Sequence, residues 1–272
     1  MSNATTIKST TMTASVKPKN NLGIMLHGAM PTIILTAAVL ILWELITHIF
    51  GIEPFVLPAP SAILSELIHK QALLASSALV TAEEIVYGFL LSTAVGVFMA
   101  LLIVRFDWLG RATYPLMVLF QNVPKIALAP LFILWFGYDL APKLLLIVVM
   151  AFFPIALNML VGLQSVDPNL VTLLKSVGAT RNEVLWRVRI PNSLPYLMSG
   201  LKIGVTLASI GAIVGEFAGA SAGLGYLILF ASTQMETALV FAAVVEVSIL
   251  GMICYYAVEL IEWKFITWAP KS

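Results

Sequence analysis

Residues Asp167–Pro191 read DPNLVTLLKSVGATRNEVLWRVRIP, a stretch that carries Lys175, Arg181, Arg187 and Arg189 between two long apolar runs. Asp167 suits the N-cap of a helix and Pro168 its first position, where the missing N–H costs nothing. Leu170, Leu173, Leu174 and Val177 recur at helical spacing and give an apolar side. Gly178 fits the left-handed position that closes such a helix. Thr180 followed by Glu183 is a capping box, so a second helix starts at once. Val184, Leu185 and Val188 form its apolar side and Arg181 and Arg187 its polar side, and Pro191 is expected to end it. The segment thus reads as two short, capped helices meeting at a Gly-Ala turn. A plain link between spans needs only a few residues. This one is either a rigid element built to be touched or an amphipathic loop resting on anionic lipid.

Outward from this island the chain is a membrane protein. It has 272 residues, 60% hydrophobic and 11% charged, with mean hydropathy +0.99; a soluble domain is about a quarter charged. Six stretches approach the roughly 20 apolar residues of a bilayer span: Pro31–Phe50, Ile85–Val104, Tyr114–Tyr138, Leu144–Leu163, Met198–Gly219 and Leu239–Ile261. The third is interrupted by Gln121, Asn122, Pro124, Lys125 and Pro130 and is expected to be a broken helix. The cations decide orientation, because Lys and Arg gather on the cytoplasmic side. With both termini inside, the cytoplasm receives Lys8, Lys17, Lys19, Arg105, Arg111, the four island cations, Lys202, Lys264 and Lys271, against only Lys70 and Lys143 outside. Residues 1–30, polar and rich in Ser and Thr, read as a cytoplasmic disordered tail. Residues 31–272 form one transmembrane domain, with the island in a loop of about 164–197.

Two shorter segments are expected outside. Pro60–Leu74 places Ile63, Leu64, Leu67 and Ile68 on one face and suits an interfacial helix; Gly223–Phe230 should fold back on the bundle. Gly211, Gly215 and Gly219 repeat every fourth residue, with Gly200 and Gly204 earlier in the same helix. Such a face admits a close neighbour, as ordinary packing or as a surface that slides. Lys125, at membrane depth, either lines a path for an anion or pairs with Glu44, Glu216 or Glu246. Glu216 reads as a polar link between helices or subunits, and Glu83 and Glu84 as solvated residues at the edge of a span.

Catalytic chemistry is not expected. No GxxxxGK[ST] run cradles a phosphate, His27, His48 and His69 lack metal-ligand spacing, and Cys254 is a lone apolar thiol. No basic stripe with aromatics suggests nucleic acid. A self-sufficient secondary transporter would carry paired broken helices in an inverted repeat, and only one broken span is visible.

Gly178, nine intervening residues and Val188-Arg189-Ile190-Pro191 resemble the second half of the EAA loop of binding-protein-dependent ABC importer permeases. LPAPSAI at Leu57–Ile63, VPKIALAPLFILWFGY at Val123–Tyr138 and GEFAGASAGLGYLI at Gly215–Ile228 look like the nitrate/sulfonate/taurine branch. Thr172, Leu173 and Leu174 stand where that loop has Glu-Ala-Ala. The resemblance implies an all-α type I importer permease fold with six transmembrane helices and cytoplasmic termini. It implies that Lys175, Ser176, Val177, Gly178, Ala179, Thr180 and Arg181, with Glu183 and Pro191 shaping the element, couple to a cytoplasmic ATPase. It also implies a second permease copy, two ATPase subunits holding ATP and Mg, and a soluble or lipid-anchored binding protein that delivers a small solute. An organic or inorganic anion is expected, with a pyrimidine-type or aromatic solute as the alternative.

Overall fold

The computed structural model describes residues 21–268, and every regular element among them is helical. The chain divides into two compact units, Met1–Gly51 and Ile52–Ser272. The first contains α1 (Asn21–Ile49), whose stretch Met30–Ile49 is long and apolar enough to span a bilayer. This helix starts well before the expected Pro31, so residues 21–30 of the expected tail are helical; residues 1–20 lie outside the described residues.

In the second unit α2 (Pro60–His69) is followed after Lys70 by α3 (Gln71–Arg105). The outer interfacial segment therefore ends at His69, and Leu74, assigned to it from sequence, is a buried residue of α3. Of its expected apolar face only Ile63 is buried, whereas Leu64 and Ile68 stay exposed. Lys70 binds Glu236 at 2.9 Å and Glu66 at 3.4 Å, and the Glu236 hydrogen bond raises its pKa above the ordinary lysine value. Glu236 directly precedes α11 (Thr237–Phe265), so this pair ties α2 to the start of the last helix.

The third expected span is not one helix. Its first half, α4 (Asp107–Asn122), stops at Val123, whose extended ψ of 128° is the conformation that a following proline imposes. A 3₁₀ turn, Lys125–Leu128, leads into the short α5 (Ala129–Phe136), which closes at Gly137 with φ +79°. Among the described residues, five helices rather than six are thus individually long and apolar enough to cross a membrane.

Glycines show how the chain is arranged around α6 (Leu140–Gln164). A methyl group built on Gly96 of α3 would lie 3.0 Å from Ile155, and one on Gly88 would collide with Ile147. The numbering rises on both sides, so α3 and α6 run in the same direction. Residues 106–139 must therefore carry the chain back, and α4 and α5 make that return in two pieces. α9 (Ile190–Gly219) runs the opposite way along α6: a methyl group built on Gly204 would lie 2.8 Å from Ile155 and one on Gly211 3.1 Å from Ile147. Each isoleucine is held between two glycines, and Leu146, Ile147, Ala151, Ile155 and Leu163 are fully buried. α11 packs along α9, and α10 (Leu224–Thr233), the expected fold-back segment, lies against both.

Candidate functional site

The basic island folds almost entirely by local hydrogen bonds. Asp167 accepts the N–H of Asn169 at 2.8 Å and starts α7 (Pro168–Ser176). At its end the N–H of Gly178 reaches Lys175 O and that of Ala179 reaches Leu174 O, both at 3.0 Å. These two bonds are a Schellman closure, and the glycine φ of +85° is the left-handed backbone it requires. Thr180 then caps α8 (Arg181–Val184): its hydroxyl accepts Glu183 N–H at 3.2 Å while Glu183 Oε2 accepts Thr180 N–H at 2.8 Å. Only Val177, Gly178, Ala179 and Thr180 separate the two helices.

Little of the chain covers this turn. Among the described residues, no atom beyond its own chain neighbours lies within 4 Å of the place a Gly178 side chain would occupy. Leu173 of α7 and Val177 at its C-cap are 61% and 74% exposed, and Trp186 beyond the turn is 65% exposed. The apolar side of α7 read from sequence is thus present but unburied. Trp186 escaped the sequence reading because a lone aromatic between cations has no periodic partner.

Pro191 does not end the second helix. Leu185–Arg189 form a π turn, with Ile190 N–H bonded to Leu185 O, and α9 begins directly after it. The widened turn lets the chain pass Pro191, which sits in the first turn of α9 and needs no donor there. From Arg181 to Gly219 the helix is continuous over 39 residues, so the second island helix is the foot of the fifth span. Asn192 fastens this foot to α6 by donating to Gly162 O and Ser165 Oγ, each at 2.9 Å.

At the opposite end Glu216 is 1% exposed. Its Oε1 accepts the Thr81 hydroxyl of α3 at 2.7 Å, and its Oε2 accepts the N–H of Gly225 at the start of α10. Thr81 in turn accepts Leu224 N–H at 2.8 Å. Side chains at Gly223 or Gly225 would strike the Glu216 carboxylate, so two glycines open the chain to it. Glu84, one turn beyond Thr81, is 3% exposed and pairs with Lys143 of α6. That overturns the reading of Glu84 as a solvated edge residue; Glu83 is exposed as expected. Thr81 and Lys143 were missed because their partners are far away in sequence.

Gly200, Gly204, Gly211 and Gly215 all face α6, a methyl group built on Gly215 coming within 3.3 Å of the Lys143 backbone, while one on Gly219 would strike Tyr138 just before α6. Lys125 sits half-buried in the 3₁₀ turn. Among the described residues it forms no ion pair, and neither Glu216 nor Glu246 reaches it; Glu44 lies beside His48 in its own helix. Lys202, counted with the cytoplasmic cations, is an α9 residue paired with Glu262 of α11 at 2.6 Å.

A bundle of long apolar helices, one broken crossing and a capped polar turn that continues into a span is the architecture of a membrane component of an ATP-driven importer. Residues 92–266 match the family described as binding-protein-dependent transport system inner membrane component, and the chain belongs to that family. The formylaminopyrimidine transport permease protein ThiX of Halalkalibacterium halodurans is 36% identical over 234 residues, 86% of this chain and 93% of that protein. The taurine transport system permease protein TauC of Escherichia coli is 26% identical over 247 residues, 85% and 87% of the two chains. In three dimensions the chain resembles one from an amino acid ABC transporter, with TM-score 0.61 and 16% identity over 74% of this chain and 97% of that one. The protein is a multi-pass inner-membrane permease with the type I importer fold. It is a transport subunit rather than an enzyme, and ATP hydrolysis resides on a separate subunit.

Proposed function

We propose that the turn Ser176–Arg181 is where a cytoplasmic ATPase grips this permease. The observation that carries this reading is the exposed apolar side of α7 beside a turn rigidified by caps on both flanks. An uncovered apolar patch next to fixed polar groups is the mark of a docking surface. A rigid element passes on a rigid-body movement that a loose loop would absorb. The turn faces the cytoplasm, in keeping with the distribution of Lys and Arg. Two copies of the chain enclose the pathway, and two ATPases, which hold ATP and Mg, dock beneath them. Closure of the ATPases moves the two turns together and tilts α9, so the bundle opens toward an external binding protein and takes up its solute. Hydrolysis resets the cycle.

The solute we favour is a small nitrogen heterocycle of the formylaminopyrimidine kind, supported by the 36% identity along nearly the whole of ThiX. A small anion such as a sulfonate, taurine or nitrate is the second reading. It is favoured by Lys125, a half-buried cation with no carboxylate partner among the described residues at the break between α4 and α5.

Uptake by cells that carry the permease with its ATPase and binding protein tests both parts. Gly178→Val should reach the membrane in normal amount yet lose ATP-driven uptake, because a β-branched residue resists φ +85° and reshapes the turn. Full uptake would remove the coupling role. Uptake of labelled formylaminopyrimidine, unaffected by excess taurine and by Lys125→Met, supports the first solute; taurine or sulfonate uptake that Lys125→Met weakens supports the second.

A further inference from the structure

The face of α9 opposite its glycine stripe borders a groove of about 630 Å³ that neither the coupling turn nor the Glu216 cluster reaches. It runs along the middle of α9 and α11, and α10 contributes to its wall. Its volume is that of a small-molecule pocket, about 300–1,000 Å³. Most of the lining is apolar, the rings of Phe217 and Tyr255 included, and no described residue in it is charged. Three hydroxyls interrupt the apolar walls: Thr206 and Ser209 of α9 and Ser248 of α11. Each spends its hydrogen on the carbonyl one turn back in its own helix. Thr206 donates to Lys202 O at 3.1 Å, Ser209 to Val205 O at 3.0 Å and Ser248 to Val244 O at 2.9 Å. Gly251 helps to keep the groove open, since a methyl group built there meets only Ser209 Oγ, at 3.9 Å. Lys202 lies 5.9 Å over the Tyr255 ring, but its charge is met by Glu262.

We infer that this groove is an intramembrane binding site for the solute, built for a small aromatic ring that carries N–H donors and unsuited to a sulfonate or nitrate. A serine or threonine hydroxyl has one hydrogen and two lone pairs. With the hydrogens committed to the helices, the three hydroxyls offer the groove lone pairs alone. A ring bearing an amino or amide N–H finds acceptors there, while its faces rest on apolar walls and on Phe217 and Tyr255. The oxygens of a sulfonate or nitrate are acceptors too, and they bring negative charge into an apolar space where no lining cation meets it. Turning a hydroxyl toward such an anion would break the helix bond it now makes. Neutral hydrogen bonds and ring contacts hold a solute weakly enough to release it, as passage requires. An acyl chain would match the apolar walls but use none of the hydroxyls. The part this site plays in uptake rests on the heterocycle reading of the solute; binding to the permease itself does not.

The experiment measures binding of labelled formylaminopyrimidine to the full-length permease in phosphatidylcholine nanodiscs by equilibrium dialysis. In parallel it measures uptake by cells that also carry the ATPase and the binding protein. The permease should retain formylaminopyrimidine, and excess taurine should not displace it. The pair Ser209→Ala and Ser248→Ala removes two acceptors and should weaken retention roughly twenty-fivefold, about fivefold for each lost hydrogen bond. Gly251→Leu places its side chain in the open groove rather than in packed core, so the protein should fold normally yet lose both retention and uptake. Ser199→Ala, an exposed hydroxyl of α9 outside the groove, should change neither. Uptake of formylaminopyrimidine that is indifferent to Gly251→Leu and to the serine pair overturns the site and leaves the solute reading standing. Retention that both variants weaken, without any uptake, keeps the site and removes that solute reading instead. Taurine retained with the same sensitivity to both variants overturns the inference, as does a permease that retains no formylaminopyrimidine. If Gly251→Leu leaves retention intact but releases a phospholipid in native mass spectrometry, or splits a dimer in light scattering, the groove belongs to a lipid or to a second copy and the inference falls.

Discussion

The two ends of the helix that runs from Arg181 to Gly219 are built on opposite principles. At the Glu216 end one buried carboxylate gathers a hydroxyl from α3 and an N–H from α10, and the surrounding glycines leave it no free space. At the Gly178 end the glycine itself faces open space among the described residues. The turn keeps its shape through caps whose donors and acceptors lie within a few residues of each other. One end is specified by tertiary contacts and the other by local chemistry, with apolar surface left over. A region finished by its own chain holds structure, and one left unfinished waits for a partner.

Substitutions can break that contrast. Glu216→Ala should have the largest effect on stability, about 2–5 kcal/mol, since it empties a buried site, strands the Gly225 N–H and leaves the Thr81 hydroxyl only the Ser77 carbonyl to donate to. Thermal unfolding of the purified permease would show it, and a loss under 1 kcal/mol would mean that the cluster is not a structural lock. Gly200→Val should cost about 1–3 kcal/mol, because a side chain there meets Asn158 at 2.9 Å and the Pro154 carbonyl at 3.0 Å. The same thermal measurement checks it. Thr180→Ala should cost about 1 kcal/mol or less of global stability through the lost cap. It should nevertheless reduce uptake disproportionately by letting the first turn of α8 fray. An uptake loss no greater than the stability loss would place the turn outside the coupling path.

What the sequence made legible follows the same division. Asp167, Gly178, Thr180 and Glu183 could be assigned because each acts on backbone within a turn of itself. Pro124 announced the break in the third crossing for the same reason. Pro191 misled, because a proline stop is local only while the helix keeps its α register, and the π turn before it changes that register. Glu84 misled for the opposite reason. Its burial depends on Lys143, which α6 brings to it from a distant part of the chain. The glycine series announced a close neighbour but could not name α6, since any helix facing the stripe would fit it. Polar residues in spans are legible as important, but their partners are a property of the fold.

The unbroken run from Arg181 to Gly219 has a mechanical meaning. At 1.5 Å per residue such a rod is about 58 Å long, so a rotation of about 5° about one end sweeps the other through about 5 Å, a displacement close to a full helical pitch. A motor would need to supply only a small angle at the foot, and the length of the lever would convert it into an aperture.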